Sequence, residues 1–251
     1  ATIGKVMKTV LIIQQRLGAT RLPGKALLPL CGKSMTWHIV ERCKRAKLVD
    51  EVVVATPFAD AIEIGNAVDC WVVAPKVPEN DLIARYYTVA AGMKADYVIR
   101  VSGDNPCIES SAIDDLIEHT LHIEELDHEY SPAPCRVLRM NSENLRHNYD
   151  GFGGELYTLE MLEWMDKTLK NPIYREHPHK FWGEMGCYSY CGRFYPVGFR
   201  LEVDTQADYE KIKDIYEVLY TTNHEFTVKD VMEYLNGKKE TVQPFGVGVY
   251  D

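Results

Sequence analysis

The chain has 251 residues, of which 46% are hydrophobic, 10% aromatic and 26% charged. That is enough to bury a sizeable core, and the balance excludes mini-protein, collagenous and disordered classes. With 28 Lys and Arg against 37 Asp and Glu the formal net charge is −9, so no nucleic-acid backbone or anionic membrane is expected as a partner.

No apolar run approaches the roughly 18 to 20 residues of a membrane-spanning helix, and Val10 to Ile13 is too short for a signal-peptide core; a cytoplasmic location is expected. The seven Cys, at 31, 43, 70, 107, 135, 187 and 191, are odd in number and scattered, and read as reduced thiols. Cys187 and Cys191 form C-x3-C with no second pair and no His at finger spacing downstream, which argues against zinc.

In chain order, Val6 to Gln14 is a β-branched apolar run, predicted as a strand buried on both faces of a parallel sheet. Ser34 stands as N-cap before Met35, Ile39, Cys43 and Ala46, which share one helical face. Glu51 to Ala55 and Val68 to Val73 read as strands, Leu82 to Met93 as a helix and Tyr97 to Val101 as a further strand. Helices follow over Ser111 to Leu121, Thr158 to Leu169 and Gln206 to Leu219. Strands alternating with helices of ten to fifteen residues predict an α/β fold, one domain over 1–251 with a largely parallel sheet. The regularity weakens over 131–154 and 174–199, which read as insertions at the sheet edge.

Three stretches carry chemistry. Gln15-Arg16-Leu17-Gly18-Ala19-Thr20-Arg21-Leu22-Pro23-Gly24-Lys25 follows the first strand, at the sheet edge where ligands of open α/β sheets bind. Glycines let backbone N–H groups approach an anion, and Arg16, Arg21 and Lys25 supply charge, so a triphosphate is the natural occupant. The Walker A pattern fails: five residues, not four, separate Gly18 from Gly24-Lys25, and Ala26 replaces the Mg²⁺-binding hydroxyl. No G-x-G-x-x-G follows a strand; Gly151-Phe152-Gly153-Gly154 lacks one before it.

The second stretch, Arg100-Val101-Ser102-Gly103-Asp104-Asn105-Pro106, delivers a carboxylate from the end of a strand. Asp104 is either a Mg²⁺ ligand or ordinary turn chemistry. The third, Arg200-Leu201-Glu202-Val203-Asp204-Thr205, reads as a short alternating strand ending in Asp. Asp204 is either a second ligand or the cap of the following helix, a role open equally to Thr205.

Together R-x-G-x-T-R-L-P-G-K-x-L, V-x-x-S-G-D-x-P and R-L-x-V-D-T-x-x-D resemble the cytidylyltransferases of the spore-coat polysaccharide biosynthesis group, relatives of the enzymes that activate Kdo and sialic acids as CMP sugars. The resemblance runs from about Lys8 to Tyr220. It implies a nucleotide-diphospho-sugar transferase fold, CTP as co-substrate, and a loop in which Gln15, Arg16, Gly18, Ala19, Thr20, Arg21 and Lys25 hold its phosphates. Asp104 and Asp204 would hold Mg²⁺, and Arg16 and Lys25 would act with them in catalysis. Asn80, Asp81 and Arg100 are candidates for base and ribose contacts, and Glu155, Arg175, Glu176 and His177 for the acceptor, with His177 as a possible base.

The resemblance further implies transfer of CMP to an acidic sugar, a sugar phosphate or a phosphorylated metabolite, in surface polysaccharide synthesis. A homodimer is expected, with Glu155, Tyr157 and the aromatic run Phe181 to Tyr190 as a candidate dimer edge. Gln14-Gln15 replaces the more usual Gln-Ala, and GFGGE over Gly151 to Glu155 departs from R-G-x-x-x-E. Two alternatives remain open at this point: a metal-dependent glycosyltransferase of the same fold, and a non-catalytic nucleotide-binding module.

Overall fold

A computed structural model describes residues 7–126, 138–140, 153–185, 189–190 and 200–237. The elements run β1 (Thr9–Gln14), the short hairpin β2 (Pro29–Leu30) and β3 (Lys33–Ser34), α1 (Met35–Cys43), β4 (Glu51–Ala55), α2 (Ala61–Ala67), β5 (Trp71–Val73), α3 (Leu82–Gly92), β6 (Tyr97–Ser102) and α4 (Ser110–Leu126). Beyond these lie β7 (Leu138–Met140), β8 (Glu155–Thr158), α5 (Leu159–Thr168), α6 (Pro172–Glu176), α7 (Pro178–Met185), β9 (Ser189–Tyr190), α8 (Gln206–Thr222) and α9 (Val228–Gly237).

The main sheet has the order β5-β4-β1-β6-β8-β7-β9. β5, β4, β1 and β6 are parallel, as the crossover helices between them require, while β8 pairs antiparallel with β6 and with β7. β1 is central, and its apolar residues from Val10 to Ile13 are fully buried. Alternation divides them between two cores. Leu11 and Ile13, with Ile99 and Val101 of β6, pack against α1, α4, α8 and α9. Val10 and Ile12, with Val98 and Tyr157, pack against α3 and α5.

Several helices begin where their caps stand. The Ser34 hydroxyl accepts from Trp37 N, Thr158 from Met161 N, and Thr205 forms a capping box with Asp208. The predicted strand over Arg200 to Thr205 is a correction: the segment is extended but forms no strand. Its Leu201 and Val203 are buried, which produces the alternation, yet its backbone meets the sheet's end through Val203 N donating to Asp104 O at 2.9 Å. The 174–199 stretch, read as irregular, contains the end of α6, then α7 and β9.

Cys43 and Cys107 are buried and Cys31 exposed as free thiols; Cys135, Cys187 and Cys191 lie outside the described residues, as do Gly151 and Phe152. Among the described residues no helix is long and apolar enough to cross a membrane. Glu155 and Tyr157 are buried against their own chain, which corrects their place in a dimer edge; the side chains of 182–190 are outside the description.

Candidate active site

A cleft of about 360 Å³ opens over the carboxyl ends of β1 and β6. The loop after β1 forms one wall. Its turn is closed by Ala19 N and Gly24 N, both donating to Leu17 O, and Gly24 takes a left-handed φ of 70°, a conformation that costs glycine little. Leu17 N donates to Asp60 Oδ2 at 2.9 Å, pinning the loop to the turn before α2.

Gln15 is buried under this loop, where its amide nitrogen donates to Thr36 Oγ1 and Gly103 O, both at 2.8 Å. It therefore joins the ends of β1 and β6. Gly103 is required at that junction: a Cβ there would stand 2.3 Å from Gln14 O and 2.7 Å from the Gln15 side chain.

The three loops converge on Lys25. Its ammonium, on a side chain 12% exposed, donates to Val203 O at 2.6 Å and lies 3.1 Å from Asp204 Oδ1 and 3.4 Å from Asp104 Oδ2. The two carboxylates, a hundred positions apart in sequence, thus share one cation. Asp204 Oδ2 also pairs with Arg21 at 2.8 Å and with Arg200. Burial raises the Asp204 pKa, but the charges of Lys25, Arg21 and Arg200 and the Lys25 hydrogen bond outweigh it, and the carboxyl is held below its ordinary value. Capping is not its task, because Thr205 caps α8.

Asp104 Oδ1 is buried with no hydrogen-bond partner, a donor-seeking oxygen facing this cluster. Two carboxylates converging on a cation, one with an unmet oxygen, fit Mg²⁺, which takes one or two protein carboxylates and fills its remaining positions from phosphates and water. No group of three His, Cys, Asp or Glu at metal spacing occurs among the described residues.

Arg16 stands at the mouth with Nη1 3.4 Å from both Glu79 Oε1 and Asn80 Oδ1; the Arg21 side chain is 64% exposed, and Ala19 and Thr20 line the cleft. Gly18 lies in the same turn, 3.7 Å from Glu79 at the position of an added Cβ. Asp81 accepts from Ala84 N as the cap of α3 and pairs with Arg175 Nε at 2.8 Å. Arg175 also donates to Asp166 and to the carbonyls of Asp166 and Leu169, holding the end of α5. Those two predicted contact residues are thereby committed to the scaffold, and Glu176 beside them is half-buried.

His177 reaches the cleft from the end of α6. Burial, then the charges of Lys180, Arg100 and Arg16, lowers its pKa, with Glu176 opposing, so it is neutral at pH 7. Arg100 and Glu155 form a buried ion pair at 3.0 Å beneath the cleft. Gln14 and Ser102, which are not among the contact residues expected from sequence, both line the cleft; their signal is their place at the carboxyl ends of β1 and β6, the edge where open α/β sheets bind ligands.

A model of the family described as cytidylyltransferase matches residues 10–239. The 3-deoxy-manno-octulosonate cytidylyltransferase of Geobacter metallireducens is 40% identical over 111 residues, 44% of each chain. An uncharacterised protein of Methanocaldococcus jannaschii is 29% identical over 175 residues, 68% of this chain and 65% of that one. The chain thus spans less than two thirds of the length of these relatives. The spore coat polysaccharide biosynthesis protein SpsF of Bacillus subtilis is 26% identical over 216 residues, 82% of this chain and 85% of that one. Among solved structures, a cytidylyltransferase from Leptospira borgpetersenii superposes with a TM-score of 0.79 at 28% identity, covering 98% of this chain and all of the other. With a match spanning nearly the whole described chain and a site built from the same three stretches, the chain belongs to the cytidylyltransferase family.

Proposed function

We propose that the chain is a CTP-dependent enzyme that transfers CMP to an oxygen of a small acidic sugar and releases pyrophosphate, in the synthesis of a surface polysaccharide. The observation that supports this above all is the cluster in which Lys25 joins Asp104 and Asp204 beneath a cationic loop. The name of the Geobacter relative supports the acidic-sugar class, and that of the Bacillus relative the pathway.

The acceptor oxygen attacks the α-phosphorus in line, a P–O bond forms, and the bond to the β-phosphate oxygen breaks as pyrophosphate takes the electron pair. Positioning and charge carry such a transfer. Arg16, Arg21 and Lys25 bind the triphosphate, with Gly18, Ala19 and Thr20 presenting backbone. Neutral His177 receives the acceptor proton. Asp104 and Asp204 would hold Mg²⁺, which when bound neutralises charge on the phosphate oxygens.

Calorimetry with CTP, ATP, GTP and UTP in the presence of Mg²⁺ tests the nucleotide, and pyrophosphate release with CTP and a panel of sugar acids tests the transfer. CTP is expected to bind tightest, and release to require one sugar. Tighter binding of a purine triphosphate overturns the assignment.

A further inference from the structure

The cleft straddles the sheet edge, and its two halves differ in chemistry. Asp204 stands before α8, on one face, together with Lys25 and Arg21. On the other face, toward α3, the Gln14 amide, the Ser102 side chain opposite it in register and the His177 imidazole line the cleft, with the Arg16 guanidinium beside Glu79 and Asn80 at its mouth. A triphosphate belongs with Lys25, Arg21 and Arg16, which leaves the amide, hydroxyl and imidazole to a hydroxyl-rich molecule.

We infer that Gln14 is a specificity-determining residue whose side-chain NH₂ donates a hydrogen bond to an oxygen of the acceptor sugar, and that Tyr86, Arg100 and Glu155 are positioning residues that aim it. The inference rests on the transfer reading above and deepens it. The aim follows from donor and acceptor bookkeeping along the buried face. Arg100 is donor-only, and its guanidinium stands over the Tyr86 ring, 6.0 Å from the ring centroid, where it fixes the ring. Tyr86 is buried, so its own proton needs an acceptor, and Gln14 Oε1 lies 3.3 Å away.

With its oxygen so engaged, the amide of Gln14 presents its nitrogen to the cleft. Below, Glu155 Oε2 neutralises Arg100 at 3.0 Å and accepts from the Tyr157 hydroxyl at 2.6 Å, so the relay ends on a compensated charge. Arg100 and Glu155, expected from sequence to touch ligand directly, act here through Tyr86 and Gln14. Register supports the alignment: Arg100 pairs with Ile12, two residues before Gln14 on the same face, and with Glu155 of β8.

The test uses the full chain and whichever member of a sugar-acid panel, 3-deoxy-manno-octulosonate included, gives the fastest pyrophosphate release with CTP. Gln14→Leu is expected to raise the acceptor KM about tenfold to a hundredfold, the loss of one donor, with the calorimetric Kd for CTP unchanged and the melting temperature lowered because the Tyr86 hydroxyl loses its acceptor. Tyr86→Phe, which keeps the ring and frees the amide to turn, is expected to raise acceptor KM by a smaller factor with CTP binding unchanged. Gln14→Asn provides a second probe should the leucine variant fail to fold, and its shorter reach is expected to raise the same KM. An acceptor KM at the wild-type value in a folded Gln14 variant overturns the inference while leaving cytidylyl transfer standing. Absence of CTP binding, or of release with every sugar acid, overturns the transfer reading and this inference with it.

Discussion

Lys25 holds a position that a divalent cation would share, since its ammonium contacts the same two carboxylates expected to bind Mg²⁺. A metal and this ammonium repel one another, so Lys25 must move toward the triphosphate before the ion is well bound. Lys25→Met should therefore bind Mn²⁺ without nucleotide, read as loss of free-ion signal by paramagnetic resonance, whereas the wild type binds it only with CTP. Its turnover should fall about tenfold to a hundredfold, because one charge-assisted contact to phosphate is worth about 1.5–3 kcal/mol. Equal Mn²⁺ binding by both proteins without CTP contradicts this account. The same cluster fixes a pH dependence. Asp204 has its pKa depressed on folding, so its contribution to stability is present above the unfolded-state value and is lost as pH falls through the folded one. Asp204→Asn should thus be less stable than wild type at pH 7 in urea titrations. The gap should shrink as acid protonates the wild-type carboxyl, and a gap that widens in acid refutes the assignment.

At the scale of elements, Thr205 and Asp204 are neighbours with separate tasks. Thr205→Ala removes a capping hydroxyl that accepts from Asp208 N, and should cost about 1 kcal/mol of stability with turnover nearly unchanged. A large loss of turnover without loss of stability would instead place Thr205 in the chemistry. What the sequence made legible follows the same division between local and distant causes. Caps, helical stripes and the β-branched run of β1 are local signals, and Ser34, Thr158 and the span Glu51–Ala55 stand where those signals put them. Arg200 to Thr205 misled because burial alternates there as in a strand, while a strand also needs a ladder partner supplied from elsewhere. Glu155–Thr158 was missed for the converse reason, since four residues become a strand only by pairing antiparallel with β6. In the site, the charged loop was legible because its residues are contiguous. The ion pair of Asp81 with Arg175, 94 positions apart, was not, because only folding brings the start of α3 and α6 together.

The whole molecule enters through the two carboxylates. Asp104 follows β6 and Asp204 precedes α8, and only the packing of α8 on the sheet, with Val203 N bonded to Asp104 O at 2.9 Å, brings them to one ammonium. If both serve one ion, Asp104→Asn and Asp204→Asn should each lower turnover by orders of magnitude. The double variant should be little worse than either, because ligands of one ion fail as a unit. Two independent roles would make the losses multiply, and that outcome in a double-mutant cycle refutes the shared ion. The cycle should be accompanied by melting curves, since the variants leave Lys25 and Arg21 short of counter-charge and lower stability by a route that adds no information about chemistry. One control separates these effects: added Mg²⁺ with CTP should raise the melting temperature of the wild type far more than that of any variant. Ligand-induced stabilisation of equal size in all four proteins would show that the carboxylates hold the fold together and take no part in holding the nucleotide.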